Sequence, residues 1–173
     1  MKGTKISSAV SSMKLQADKN AVWDKVGFYE HVQKKPSLLL RLSLPIPQEV
    51  EGNYSQVGDT CRCKYSDGGY LTKRITRIAN GDRIEFEIIE QSIRYQDTVK
   101  LLGGYIEVKE NGAGRSIVNM VTYYENRIQP KKLSAFFINR VIKTMHQFVM
   151  LDMQAQLQGQ GKKVDTSTAM PCI

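Results

Sequence analysis

Residues 131–157 read KKLSAFFINRVIKTMHQFVMLDMQAQL, a run with neither glycine nor proline. Leu133, Phe137, Val141, Met145, Phe148 and Val149 recur at spacings of three and four, and Ile138, Ile142 and Met153 widen the stripe. That period belongs to an α-helix with one apolar face. Arg140, Lys143, His146, Gln147 and Gln154 fall mostly off the stripe and are expected in solvent. At about 1.5 Å per residue the helix is about 40 Å long. A helix this long and this apolar needs a broad apolar surface to lie against, and the residues before it must provide one.

Those residues read mostly as strands. Ile6 to Ala17 alternates weakly. Asp18 is placed to cap a short helix carrying Ala21, Val22, Trp23 and Val26 at helical spacing. Phe28 to Val32 suggests a second short helix, closed by Pro36. Ser37 to Leu44 is apolar and strand-like, and Pro45 and Pro47 stop it or push it to a sheet edge. From Thr60 onward, strands are joined by tight turns: Asp67-Gly68-Gly69, Asn80-Gly81 and Asn111-Gly112-Ala113-Gly114. Gly103-Gly104 interrupts the strand Thr98–Glu110 and predicts a bulge or sharp bend. The expected architecture is α+β: a curved antiparallel sheet of about six to seven strands wrapped around the long C-terminal helix, with two short helices after strand one. One domain over residues 1–158 accounts for the pattern, and 159–173 reads as a flexible polar tail.

Composition agrees with one soluble domain. The chain has 173 residues, 41% hydrophobic and 24% charged. No apolar stretch approaches the ~18–20 residues of a membrane span. The start, Met1-Lys2-Gly3-Thr4-Lys5, lacks the apolar core of a signal peptide. Three cysteines, an odd number, suit reduced thiols and a cytoplasmic location better than a disulfide framework. The net charge of +8 raises the question of nucleic acid. Residues 1–50 carry eight cations and four anions, 51–100 eight of each, and 101–150 seven and three. This excess is spread over two stretches with no basic run longer than a pair, so no nucleic-acid partner is expected.

Several residues are candidates for chemistry. Glu90 extends the face of Ile84, Phe86 and Ile88. If that face lines an interior, burial would raise its pKa and make it a general acid or base; otherwise it sits near the strand end, paired with Arg94 or solvent. Cys61, Cys63 and Tyr65 share one face. A C-x-C pair can hold metal, but no matching His/Cys cluster accompanies it, and His31 and His146 are remote, so core packing is the plainer reading. Tyr65, Tyr70, Tyr95, Tyr105, Tyr123 and Tyr124 offer hydroxyls; Tyr123 and Tyr124 point to opposite faces. Arg74 shares parity with Tyr70, Thr72 and Thr76 and could pair with Glu90 inside, although Leu71 and Ile75 argue for the other face. Gly112-Ala113-Gly114 lies between strands and fails the dinucleotide context, so no cofactor is expected.

Several segments resemble the START-like helix-grip superfamily, also called SRPBCC, and within it the polyketide cyclase/dehydrase-like branch. They are Asp18-Lys19-Asn20-Ala21-Val22-Trp23-Asp24-Lys25-Val26, Val57-Gly58-Asp59, Gly69 to Ile78, Arg83 to Gln91, and Tyr123-Tyr124-Glu125. The resemblance spans about residues 4–157; Val26-Gly27 and the tail depart from it. It implies a deep cavity between sheet and helix for a small hydrophobic or aromatic molecule. Phe137, Val141, Met145 and Phe148 on the helix, and Cys61, Cys63, Tyr65, Arg74, Phe86, Ile88, Glu90 and Tyr123 on the sheet, are then the candidate ligand contacts. Three functions remain open: a hydrophobic-ligand binder, a cyclase- or dehydratase-like enzyme with Glu90 as its acid/base group, and a basic partner-binding module. The oligomeric state is not legible.

Overall fold

The computed structural model describes residues 6–28, 32, 38–94 and 96–160. His31, Tyr95, the tail after Gln160, and most of the helix expected at Phe28–Val32 lie outside these.

The elements are β1 (Ile6–Leu15), α1 (Lys19–Trp23), α2 (Leu38–Ser43), β2 (Pro47–Gly52), β3 (Thr60–Tyr65), β4 (Tyr70–Ala79), β5 (Arg83–Ser92), β6 (Val99–Glu110), β7 (Ser116–Asn126) and α3 (Lys131–Gln160). All seven strands form one antiparallel sheet in the order β1-β7-β6-β5-β4-β3-β2. β1 is the edge strand beside β7, and α3 packs mainly on those two strands. This is the α+β helix-grip arrangement. α1 starts where Asp18 predicts: its carboxylate accepts from the N–H groups of Asn20 and Ala21, both at 3.0 Å, which satisfies two orphan donors of the first turn.

One element departs from its sequence reading. Ser37–Leu44 is expected as a strand, yet Leu38–Ser43 is helical. Consecutive leucines have no period that separates helix from strand, and Leu40 decides the matter by inserting fully into the main core.

The glycine pair bends the sheet as expected. β6 slips register by one residue between Leu101 and Gly103, and Gly103 takes φ +140°. A Cβ at Gly103 would collide with the Phe86 backbone of β5, and one at Gly104 with the Val121 backbone of β7. Two neighbouring strands can approach this closely only because neither residue has a side chain.

The core lies between the sheet's concave face and the buried face of α3. Ile106, Val108, Val118 and Met120 from β6 and β7 meet Val149, Met150 and Met153 of α3. A second cluster joins Cys61, Cys63, Tyr65 and Leu71. The face of α3 turned to the sheet is Ile142, His146, Val149, Met150 and Met153. His146, expected in solvent, is only 1% exposed. Leu133 and Phe137, expected in the core, stand in solvent instead.

Candidate functional site

Among the described residues, three cavities touch α3: one of about 300 Å³ at its C-terminal end, beside Leu15, Ala17, Ala21, Gln154 and Leu157, and two farther toward its start. The larger of these two, about 290 Å³, is at the N-terminal half of the helix and is almost wholly apolar. Phe137, Ile138, Val141 and Ile142 form one wall, Leu42, Ser43 and Leu44 a second, and Ile93, Val99 and Leu101 of the sheet side a third, with Ile128 completing the lining. Among the described lining residues Ser43 alone contributes a polar side chain. Leu42 and Phe137 are mostly exposed while also lining the space, so the cavity opens to solvent between α2 and α3. Such a space binds by removing apolar surface from water; among the described residues its lining includes no charged side chain.

The smaller cavity, about 50 Å³, lies deeper along the same helix, with Phe28, Phe86, Ile106, Met120, Met145 and Val149 among its walls. At about 10–15 Å³ per water it has room for a few water molecules. Three of its lining side chains are polar and more than nine-tenths buried: Lys73 of β4, Thr122 of β7 and His146 of α3. The ammonium of Lys73 lies 4.5 Å from the ring centroid of Phe28 and 5.7 Å from that of Phe86, a cation–π arrangement. His146 Nε2 is 2.9 Å from Thr122 Oγ1, and its Nδ1 is 3.1 Å from Ser11 Oγ of β1. Burial, reinforced by Lys143, lowers the pKa of His146 to about 4, so the ring is neutral near pH 7. Ile142, in the wall of the larger cavity, packs with buried Tyr124, and Met145, in the wall of the smaller one, packs against the same cluster, which thereby links the two.

The sequence candidates divide among these places. Phe137 and Val141 line the larger cavity, and Phe86 and Met145 the smaller. Cys61, Cys63 and Tyr65 are buried on the concave side and form no disulfide. Their cluster also holds Ile88, and it touches Ile93 and Leu101, which makes it the backing of the larger cavity rather than its lining. Phe148 packs into the main core. Among the described residues no group of three His, Cys, Asp or Glu side chains could hold a metal.

Three placements correct the sequence reading. Glu90 lies on the outer face. The adjacent residues Thr72 and Lys73 of β4 pair with Glu90 and Ile88 of β5, so Ile89 is an extra residue between them. That bulge reverses the alternation after Ile88. The Glu90 carboxylate accepts from the Tyr70 hydroxyl at 2.7 Å, Arg62 Nη2 at 2.6 Å and the Thr72 hydroxyl at 3.3 Å. The Tyr70 hydrogen bond, with Arg62 behind it, holds its pKa below the usual carboxylate value. It is therefore an ionised surface group: of the two placements left open for it, the interior acid is overturned and the outer one holds, with Arg62 as a paired cation. Arg74 is likewise outside, paired with Glu87 at 2.6 Å, and the inward cation of β4 is Lys73, in step with Leu71 and Ile75. Tyr123 is 39% exposed on the outer face, near Tyr105, while Tyr124 takes the inner position.

No protein-family model and no curated protein matches this chain by sequence. Solved structures do match in shape. Norcoclaurine synthase from Thalictrum flavum, determined with dopamine and hydroxybenzaldehyde, superposes with a TM-score of 0.63 at 16% identity, over 92% of this chain and 90% of that one. The Zhui aromatase/cyclase from Streptomyces sp. R1128 gives 0.64 at 10% identity, over 92% and 98%. Major latex-like protein 151 from Panax ginseng gives 0.55 at 16% identity, over 89% and 98%. Identities this low speak for the fold alone. The chain shares the helix-grip fold of these structures.

Proposed function

We propose that this protein binds a small hydrophobic or aromatic molecule in the cavity between α2, α3 and the sheet. The observation that carries this reading is the cavity itself: about 290 Å³, open to solvent, with a single hydroxyl among its described lining side chains. That volume sits at the lower edge of ordinary small-molecule sites, about 300–1,000 Å³. The aromatic pair held by the norcoclaurine synthase structure is of a comparable chemical kind. We place the protein in the cytoplasm, because an odd count of three cysteines suits a reducing compartment.

A cyclase- or dehydratase-like enzyme is the second reading. The buried trio of Lys73, Thr122 and His146 favours it over the Glu90 version. Two facts weigh toward binding instead. Both nitrogens of His146 already face hydroxyl partners, and a base with a pKa of about 4 removes protons poorly near pH 7. The basic-module reading loses support on the sheet's exterior, where Arg62, Lys64, Arg74 and Arg83 each meet a glutamate.

Native mass spectrometry on protein purified from its own host tests the proposal. The expected result is a bound mass that denaturation releases. A bare chain that also takes up no neutral apolar dye, such as N-phenyl-1-naphthylamine, counts against it.

A further inference from the structure

Large apolar side chains stand in solvent on both sides of the cavity mouth. On α2, Leu38 and Leu42, one turn apart, are each 70% exposed. On α3, Leu133 and Phe137, also one turn apart, are 56% and 59% exposed, and Phe136 is 63% exposed. The rings of Phe136 and Phe137 meet edge-on at 5.6 Å. Leu42 and Phe137 also line the cavity, so the exposed patch is continuous with its wall. Single exposed apolar residues are ordinary, but a contiguous group around an opening marks an interaction site.

The charge around this patch has one sign. Residues 131–144 contain Lys131, Lys132, Arg140 and Lys143 and no carboxylate. Arg41 lies on α2, next to Leu42. Among the described residues none of these five cations has an ion-pair partner, in contrast to Arg62, Lys64, Arg74 and Arg83 on the sheet's exterior. Lys131 and Lys132 also sit in the first turn of α3, at the positive end of the helix dipole, with no acidic residue there to offset them. Lys132, Phe136 and Arg140 follow one another at i, i+4 and i+8, so cations and aromatic rings share a face.

We propose that the cavity mouth docks on an anionic lipid bilayer. Leu133, Phe136 and Leu42 would enter the headgroup–acyl boundary, while Lys131, Lys132 and Arg140 meet the phosphates. Apolar tips flanked by unpaired cations are the combination that holds a protein at such a surface. It also fits an opening for an apolar ligand, which could pass from acyl chains to cavity without crossing water. A second copy of the chain complements the face poorly: two-fold pairing sets the same lysines against each other, and the patch has no carboxylate to answer them.

Co-sedimentation of the full chain with vesicles tests this, and it needs no cavity ligand, so its failure is separate from failure of the binding proposal. Vesicles of phosphatidylcholine and phosphatidylglycerol in equal parts should bind the chain, and phosphatidylcholine alone should bind it at least about tenfold more weakly. Phe136→Ser should weaken binding about tenfold. Lys131→Gln with Lys132→Gln should weaken it about thirtyfold, at about tenfold per 1.4 kcal/mol and about 1 kcal/mol per cation. Neither change touches a buried group, so neither should lower the unfolding temperature, and loss of two cations from the positive end of the α3 dipole should raise it slightly. No sedimentation with the anionic vesicles, or sedimentation indifferent to both variants, overturns the proposal. So does a dimer in sedimentation velocity that Phe136→Ser dissolves while vesicles are ignored, which would assign the face to a second copy.

Discussion

His146 of α3 places its Nε2 2.9 Å from the Thr122 hydroxyl of β7, and its Nδ1 3.1 Å from the Ser11 hydroxyl of β1. One buried ring thus joins the long helix to the edge strand β1 and to its neighbour β7. Such a ring must be neutral, and burial keeps it so.

Stability should therefore fall with acid. The pKa of His146 is lowered from 6.5 to about 4 in the folded chain. Between those values the unfolded chain binds more protons, so stability is complete above pH 6.5 and declines as pH falls toward 4. The full loss is about 3 kcal/mol, at about 1.4 kcal/mol for each tenfold difference in proton affinity between the two states. Unfolding by urea across that window should show the decline in the native sequence and a flatter profile in His146→Gln. Equal slopes would remove His146 as the cause.

Gly104→Ala should destabilise the fold. Its Cβ meets the Val121 backbone, which cannot move aside as a side chain could. Overpacking of this kind costs about 1–3 kcal/mol, sometimes more. Gly112→Ala is a suitable contrast, because its positive φ makes it strained while the Cβ would meet only the far end of Arg115. Thermal unfolding of both proteins should rank Gly104→Ala as the more damaging.

Ile142→Ala should loosen the cluster that links the larger and smaller cavities. Ile142 is 6% exposed and packs with Ala9 and Tyr124. Truncating a buried isoleucine costs about 2–5 kcal/mol. The variant should also accept bulkier apolar dyes than the native chain, measured as a shift in relative affinity between a small and a large probe.

Glu90→Gln should leave dye uptake unchanged. The carboxylate lies outside the sheet with Tyr70, Arg62 and Thr72. Loss of uptake on this change would mean that the outer face of β5 takes part in binding after all.

The fold is legible in the sequence because its strongest signals are local. The unbroken period of α3, the Asp18 cap and the turn glycines each depend on a few neighbouring residues. The site is less legible, because its members are fixed by partners far along the chain. Reading inward positions by strict alternation fails at Ile89, where one unpaired residue moves Glu90 to solvent. The same alternation, anchored on Leu71 and Ile75, is enough to put Lys73 inside. His146 reads as a polar residue on a polar face, since nothing near it in sequence shows that Ser11 and Thr122 will supply its hydrogen bonds. Leu42 and Leu44 escape notice as cavity residues because their segment reads as a strand.

The central claim is that the space between α2, α3 and the sheet is a ligand site. Its most direct test is fluorescence titration of a neutral apolar dye against the native chain and Val141→Trp, since Val141 forms the cavity wall and the indole would fill the space. The expected result is saturable uptake of one dye per chain, abolished in Val141→Trp while the fold is kept. Uptake of equal strength in both proteins would contradict the claim.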